Sequence, residues 1–276
     1  MTVAKVSPEL DIVADRAALA RDAAQRFVAL ARESIAARGR FVVALSGGST
    51  PRDLYALLAS PEFSAQIDWT RVHFFWGDER AVPPDHPDSN YRMANETLLS
   101  RVKSPAQNVH RILAEQESAD AAHAYEETLR EVFDLDADKR GQTRTDENNP
   151  RLSEATRAPH ARAGVRVPSF DLVLLGLGAN GHTASLFPHT PLLHETTRWV
   201  AAAYIDEVKM WRITLTAPVI NAAANILWLV AGADKAATVH AVMRGDYRPE
   251  DLPAQLIQPT NGRVVWLLDR DAASQL

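Results

Sequence analysis

The chain is 276 residues long, enough for one large α/β domain or two small ones with a full hydrophobic core. Apolar residues near half and charged residues near a quarter fit a globular protein, and a formal net charge of −5 argues against a general nucleic-acid binder, which needs a basic excess. Cysteine is absent, which removes disulfides, thiolate catalysis and cysteine-based metal sites and suits a reducing compartment.

In chain order, residues 1–11 carry acidic side chains and lack the basic start and apolar core of a signal peptide, so a cytoplasmic protein is expected. Ala20, Ala24, Phe27, Ala31 and Ile35 recur at helical spacing, with Asp15 suited to cap the start of that helix and Gly39 to end it. A continuous apolar run over 41–45 predicts a buried parallel strand. It breaks into Ser46-Gly47-Gly48-Ser49-Thr50-Pro51 and then a helical stretch through Leu54, Leu57 and Leu58. The pattern recurs: a strand over 72–76 ends in Gly77-Asp78-Glu79-Arg80, and residues 90–99 read as helix. Further helices are predicted over 118–133 and 235–243, and strands over 170–175, 199–204, 212–215, 225–230 and 263–268. Strands alternating with helices imply an α/β fold, a doubly wound and largely parallel sheet with helices on both faces. No apolar run approaches the roughly 20 residues of a membrane helix, so no membrane partner is expected.

Residues 137–168 differ in composition, being rich in Arg, Asn, Thr, Pro and Ala with Leu152, Val165 and Val167 as the larger aliphatics. Such a stretch buries too little to offset its ordering entropy, and a mobile surface insertion is expected. Its seven Lys/Arg against four Asp/Glu read as a solvated block rather than a binding arm.

Chemistry concentrates at the strand ends. Ser46, Gly47, Gly48, Ser49 and Thr50 lie between a strand and a helix, where backbone N–H groups, hydroxyls and the helix dipole all favour an anion. Pro51 suits the first helical turn, where its missing N–H costs little. No Gly-Lys-Ser/Thr follows, so this is not a Walker loop. Gly176-Leu177-Gly178-Ala179-Asn180-Gly181 matches the dinucleotide fingerprint in letters, but it lies late in the chain. His182 fills the expected helix entry, and Pro188 follows soon after, so a nicotinamide cofactor is not expected. His182 itself follows a glycine turn after a buried strand, where α/β proteins bind ligands. A helix N-terminus there is expected to hold its imidazole neutral and able to accept a proton. His189 and His194 match no zinc spacing. Asp78, Glu79 and Arg80 read either as a surface turn with an ion pair or as a site. In the second reading Arg80 meets a substrate anion and Asp78 orients a base or water. Lys209 and Arg212, ahead of a strand through Ile213, offer further positive charge.

Together these segments resemble the 6-phosphogluconolactonase family within the glucosamine/galactosamine-6-phosphate isomerase superfamily. The matching stretches are residues 45–51, 76–80 with Asp88-Ser89-Asn90, 176–188 and 212–216, and the resemblance spans nearly the whole chain outside 137–168. The glycine-hydroxyl loop also occurs in glucosamine-6-phosphate deaminases, whereas Asp-Glu-Arg at 78–80 and Gly-His-Thr-Ala-Ser-Leu-Phe-Pro at 181–188 resemble the lactonase forms. The resemblance implies a single sugar-phosphate hydrolase domain over 1–276, similar to the glucosamine-6-phosphate deaminase/ribose-5-phosphate isomerase-like fold. It implies hydrolysis of a small phosphorylated sugar lactone by a monomer or small homo-oligomer, with no metal or organic cofactor. Residues 46–50 would hold the phosphate, with Arg80, Lys209 or Arg212 supplying charge, and His182 would act as general base toward water. The other readings are a deaminase or isomerase on the same fold and a non-catalytic sugar-phosphate sensor. A nucleic-acid regulator would need a helix-turn-helix, and none is visible. One departure stands out: the family usually has aspartate before Gly-His, and this chain has Asn180. Its loss of charge either lowers the pKa of His182 or, where the residue only shapes the turn, changes little.

Overall fold

Short runs of Val, Leu, Ile and Phe can be strands only where both faces are covered, and a parallel sheet between helices provides that cover. A computed structural model describes residues 6–141 and 167–276. In its first half, strand β1 (Glu9–Val13), helix α1 (Arg16–Arg38), β2 (Phe41–Leu45), α2 (Ser49–Leu58), the single turn α3 (Pro61–Ser64), β3 (Val72–Trp76), β4 (Asp78–Arg80), α4 (Asn90–Thr97) and α5 (Ser118–Gly141) follow one another. Then come β5 (Leu172–Leu175), β6 (Val200–Ile205), β7 (Met210–Leu215), α6 (Ala217–Asn221), β8 (Asn225–Val230), α7 (Ala236–Arg244) and β9 (Arg263–Asp269).

Six strands form a parallel sheet in the order β1-β9-β8-β5-β2-β3. Every side chain of β2 and β5 is buried, as expected for central strands. Helix α1 begins where Asp15 accepts a bond from the Ala18 N–H at 2.8 Å and ends at Gly39, whose φ of 77° suits a residue without Cβ. Trp228 and Trp266 stack at 4.1 Å between ring centroids across the β8–β9 pair.

Two features depart from expectation. Strand β1 was not anticipated; it pairs at the sheet edge, with its residues half-buried or exposed, so its Glu9 and Asp11 blur the apolar pattern. A second sheet, β4-β7-β6, is antiparallel, and it converts the expected turn at 78–80 into a strand. Helix α5 runs to Gly141, so the first residues of the expected insertion are helical, and most of that stretch lies outside the described residues. Among the described residues no helix is long and apolar enough to cross a membrane.

Two buried tyrosines pin the strand ends from which the functional loops start. The Tyr55 hydroxyl accepts from Ser46 N–H at 3.0 Å and donates to Ser46 O at 2.8 Å. The Tyr125 hydroxyl treats Trp76 the same way, at 2.7 and 3.0 Å. Burial pushes both phenols above their ordinary pKa, so each remains an O–H that can both donate and accept.

Candidate active site

The chain runs outward from β2 to β3 on one side and from β5 to β8 on the other, so the winding reverses between β2 and β5. In open parallel sheets the crevice at the carboxyl ends of such strands binds ligands. The segments leaving β2, β3 and β5 there are residues 46–50, 77–80 and 176–182, and Gly77 N–H donates to Leu45 O at 2.8 Å to tie the first two together.

In the first loop Gly48 is the N-cap of α2 at a φ of 103°, and it has no side chain to occupy the first-turn amides. Ser49 and Thr50 open the helix, exposed and half-buried, while Ser46 is buried beneath them on Tyr55. Gly47 is required by packing: a Cβ there would lie 1.9 Å from Asn90 Oδ1. Asn90 in turn donates from Nδ2 to Asp78 O at 2.9 Å and to Asp78 Oδ1 at 3.3 Å.

Strand β4 sorts its three charged residues by face. Glu79 is buried and accepts from the N–H groups of Arg80 (2.9 Å), Asn90 (2.7 Å) and Tyr91 (2.8 Å) and from Ser89 Oγ (3.1 Å), which fastens the start of α4. Burial raises its pKa against the pull of those bonds. Asp78 and Arg80 share the opposite face. Asp78 accepts from Ser185 Oγ at 2.6 Å, and Ser185 N–H reaches Thr214 Oγ1 at 3.3 Å. Arg80 stands directly across from Arg212, which lies inside β7 rather than ahead of it. Arg80 donates from Nη1 to Asp88 O at 2.6 Å, whereas Arg80 Nε and Arg212 Nε and Nη1 are buried without a partner among the described residues. Like charges opposed on neighbouring strands are unfavourable, and buried guanidinium donors left open are costly, so this pair concentrates positive charge with unused donors. Burial, then Arg80, depresses the pKa of Arg212.

His182 is not at a helix start, because residues 176–190 form an irregular loop. The loop closes on itself, with Gly178 N–H donating to His182 O at 2.8 Å and Gly181 N–H to Gly178 O at 3.0 Å. The half-buried imidazole stacks on Phe187 at 4.0 Å, with 14° between the planes. Burial, not a helix dipole, is the main cause that lowers its pKa to about 4; Asp78 and Glu207 oppose the shift, and Arg212 and Lys235 add to it. Asn180 Oδ1 lies 2.5 Å from His182 Nδ1 and accepts from the His182 N–H at 3.1 Å.

The structure therefore brings together Ser46, Gly47, Gly48, Ser49 and Thr50, Asp78, Arg80, Arg212 and His182, linked through Asn90, Ser185 and Thr214. Lys209 lies in the exposed turn between β6 and β7, the turn that also carries Glu207, at a φ of 47° with Nζ 3.5 Å from Asp206. Asn90 and Ser185 lay inside stretches noticed in the sequence, yet their contacts were not legible there, and Glu207 carried no local signal at all. His189 and His194 each face a carboxylate, Asp251 at 3.3 Å and Glu250 at 3.2 Å. Among the described residues no three His, Asp or Glu side chains converge as a metal cage requires.

A parallel α/β sheet carrying a glycine-hydroxyl loop, a guanidinium pair and a half-buried histidine at its winding reversal defines a class of α/β proteins with a polar crevice at the carboxyl ends of the strands. The family described as glucosamine-6-phosphate isomerases/6-phosphogluconolactonase matches residues 14–266, and the chain belongs to it. The 6-phosphogluconolactonase of Synechocystis sp. is 36% identical over 272 residues, 98% of this chain and 99% of that one. The corresponding protein of Nostoc sp. is 35% identical, over 97% and 98% of the two chains. Among solved structures, 6-phosphogluconolactonase from Trypanosoma brucei superposes with a TM-score of 0.78 at 30% identity, covering 98% of this chain and 99% of that one. A monomeric glucosamine-6-phosphate deaminase shares the fold, with a TM-score of 0.73 at 20% identity over 97% and 100% of the chains.

Proposed function

We propose that this chain hydrolyses 6-phospho-D-glucono-1,5-lactone to 6-phospho-D-gluconate, the lactone-opening step of the oxidative pentose phosphate pathway, with His182 as general base. The reading is carried by the setting of His182: half-buried against Phe187, with its pKa lowered by burial and Nδ1 bonded to an acceptor, it keeps the Nε2 lone pair for a proton. The near-full-length likeness to lactonases supports the choice of substrate.

The substrate carries a fixed negative charge on its phosphate and develops a second on the carbonyl oxygen. The glycine-hydroxyl loop offers first-turn amides to the phosphate, and Arg80 and Arg212 supply the cationic charge. Water adds its oxygen to C1 while Nε2 takes a proton. The tetrahedral oxyanion then collapses, the bond from C1 to the ring oxygen breaks, and the imidazolium returns the proton to that oxygen as a hydroxyl. A base of low pKa is a weak one, but its conjugate acid protonates the leaving oxygen readily. The lactone is itself reactive, so the barrier to be removed is modest. Asp78, held by Ser185 and Asn90, orients the base or the water.

Hydrolysis of freshly generated lactone by the native chain and by His182→Ala tests this. The variant is expected to lose about 100-fold to 10,000-fold in kcat, the usual worth of a positioned base, while still binding 6-phosphogluconate. Equal rates would remove His182 from the mechanism. Ammonia release from glucosamine 6-phosphate would replace the substrate, and a native rate no faster than buffer would leave a binding protein.

A further inference from the structure

Position 180 carries an amide, and the amide is engaged on both sides. Its Oδ1 faces the imidazole, and its Nδ2 donates to Glu207 Oε2 at 2.7 Å. Glu207 comes from the turn between β6 and β7, distant in sequence from the loop that holds His182. An asparagine side chain offers a donor on one side and an acceptor on the other, so either end could face the ring. A carboxylate only accepts. With Glu207 against Nδ2 and the His182 N–H donating to Oδ1, the amide turns Nδ2 outward and Oδ1 inward. An inward Oδ1 also only accepts, so Nδ1 of His182 carries the hydrogen and Nε2 is bare.

We propose that Glu207 is a positioning residue that acts through Asn180 to select the His182 tautomer in which Nε2 is the base. This rests on the reading of His182 as general base. Without Glu207 the amide has only the His182 N–H at 3.1 Å to keep Oδ1 inward, so it turns over more readily, presents Nδ2 to the ring and favours the tautomer with hydrogen on Nε2, which cannot accept a proton from water. The charged groups acting on the ring are Asp78 and Glu207 on the negative side and Arg212 and Lys235 on the positive side. Removing Glu207 leaves Asp78 alone against two cations and lowers the ring pKa further.

The test is Glu207→Gln beside Asn180→Asp/Glu207→Gln, read by lactone kinetics and by nitrogen NMR of the imidazole. In Glu207→Gln the ring is expected to populate both tautomers, with its pKa shifted down, and kcat is expected to fall roughly tenfold at unchanged KM, the worth of one hydrogen bond. Asn180→Asp in that background restores a pure acceptor next to Nδ1 and is expected to recover both the single tautomer and most of kcat. Ring nitrogen signals in Glu207→Gln that match the native protein overturn the proposal, whatever the rate does. A changed tautomer with unchanged kcat leaves the positioning intact and removes instead the general-base reading. A fall in kcat that Asn180→Asp does not rescue makes Glu207 merely structural and also overturns the proposal.

Discussion

Gly178 shows how one absent side chain serves the proposed base. A Cβ at this position would sit 2.1 Å from Nδ1 and 2.2 Å from Cε1 of His182, inside the ring's own space. The glycine that mimics a dinucleotide fingerprint is thus reserved for an imidazole. Gly176, two residues earlier, is different, since a Cβ there meets nothing closer than Ser46 Oγ at 3.9 Å. Gly178→Ala is therefore expected to displace the ring from Phe187 and Asn180, cutting kcat at least tenfold, and to cost about 1–3 kcal/mol of stability as an overpacked site. Gly176→Ala should stay near native in both, as steady-state kinetics and urea denaturation of the pair would reveal; equal behaviour of the two variants would contradict the packing. The local letters pointed to His182, but they suggested a helix dipole as the agent that keeps it neutral. The agent is burial against Phe187, a contact that depends on how the loop folds back.

At the scale of elements, the three-residue strand β4 does two jobs with alternate side chains. Its outer pair, Asp78 and Arg80, faces the crevice, and its middle residue, Glu79, ties down α4. Removing that carboxylate strands buried donors on Asn90, Tyr91 and Ser89, and Asn90 also holds Asp78. Glu79→Ala is expected to lower stability by about 2–4 kcal/mol, the cost of leaving several buried donors unpaired. It is also expected to reduce kcat without the variant losing a group that touches substrate. A urea midpoint within error of the native one would contradict this. The difference between β4 and its neighbours explains what could be read in advance. Helix α1, with Asp15 and Gly39 at its ends, and strand β8 over Asn225–Val230 are written in local periodicity and caps, and both were legible. The identity of 78–80 as a strand depends on pairing Arg80 with Arg212, far along the chain. No window of sequence contains that pairing. Nor does one contain the approach of Glu207 to Asn180.

At the scale of the molecule, the alternation of strands and helices was enough to infer the parallel sheet, because each strand must be covered on both faces. The second, antiparallel sheet escaped because β4 has only three residues and finds its partner β7 in the other half of the chain. The closed sheet region has a consequence for acid stability. His182 and His110, the latter stacked on Phe75 at 4.4 Å, are each held at a pKa of about 4, below the ordinary 6.5. Burial is the first cause for both; for His110 the neighbouring His73 and Arg40 add to it. A depressed folded pKa means that the unfolded chain takes up the proton first. The stability contributed by the neutral rings is complete above pH 6.5 and is lost as the pH falls toward 4. The slope in that window is up to about 1.4 kcal/mol per pH unit for each histidine. Glu79 and Asp171, raised by burial, act in the opposite sense over the window above their ordinary values of 4.5 and 3.8, so they soften the fall near its acidic end. Urea midpoints are therefore expected to drop between pH 6.5 and 5, and to drop less steeply in His110→Phe, which removes one of the two titrating rings. Over the same range native kcat should stay level, because His182 remains an unprotonated base down to about pH 5, one unit above its pKa. A stability profile flat across this window, or a kcat that follows it downward, would mean that the imidazoles are charged where the packing requires them to be neutral.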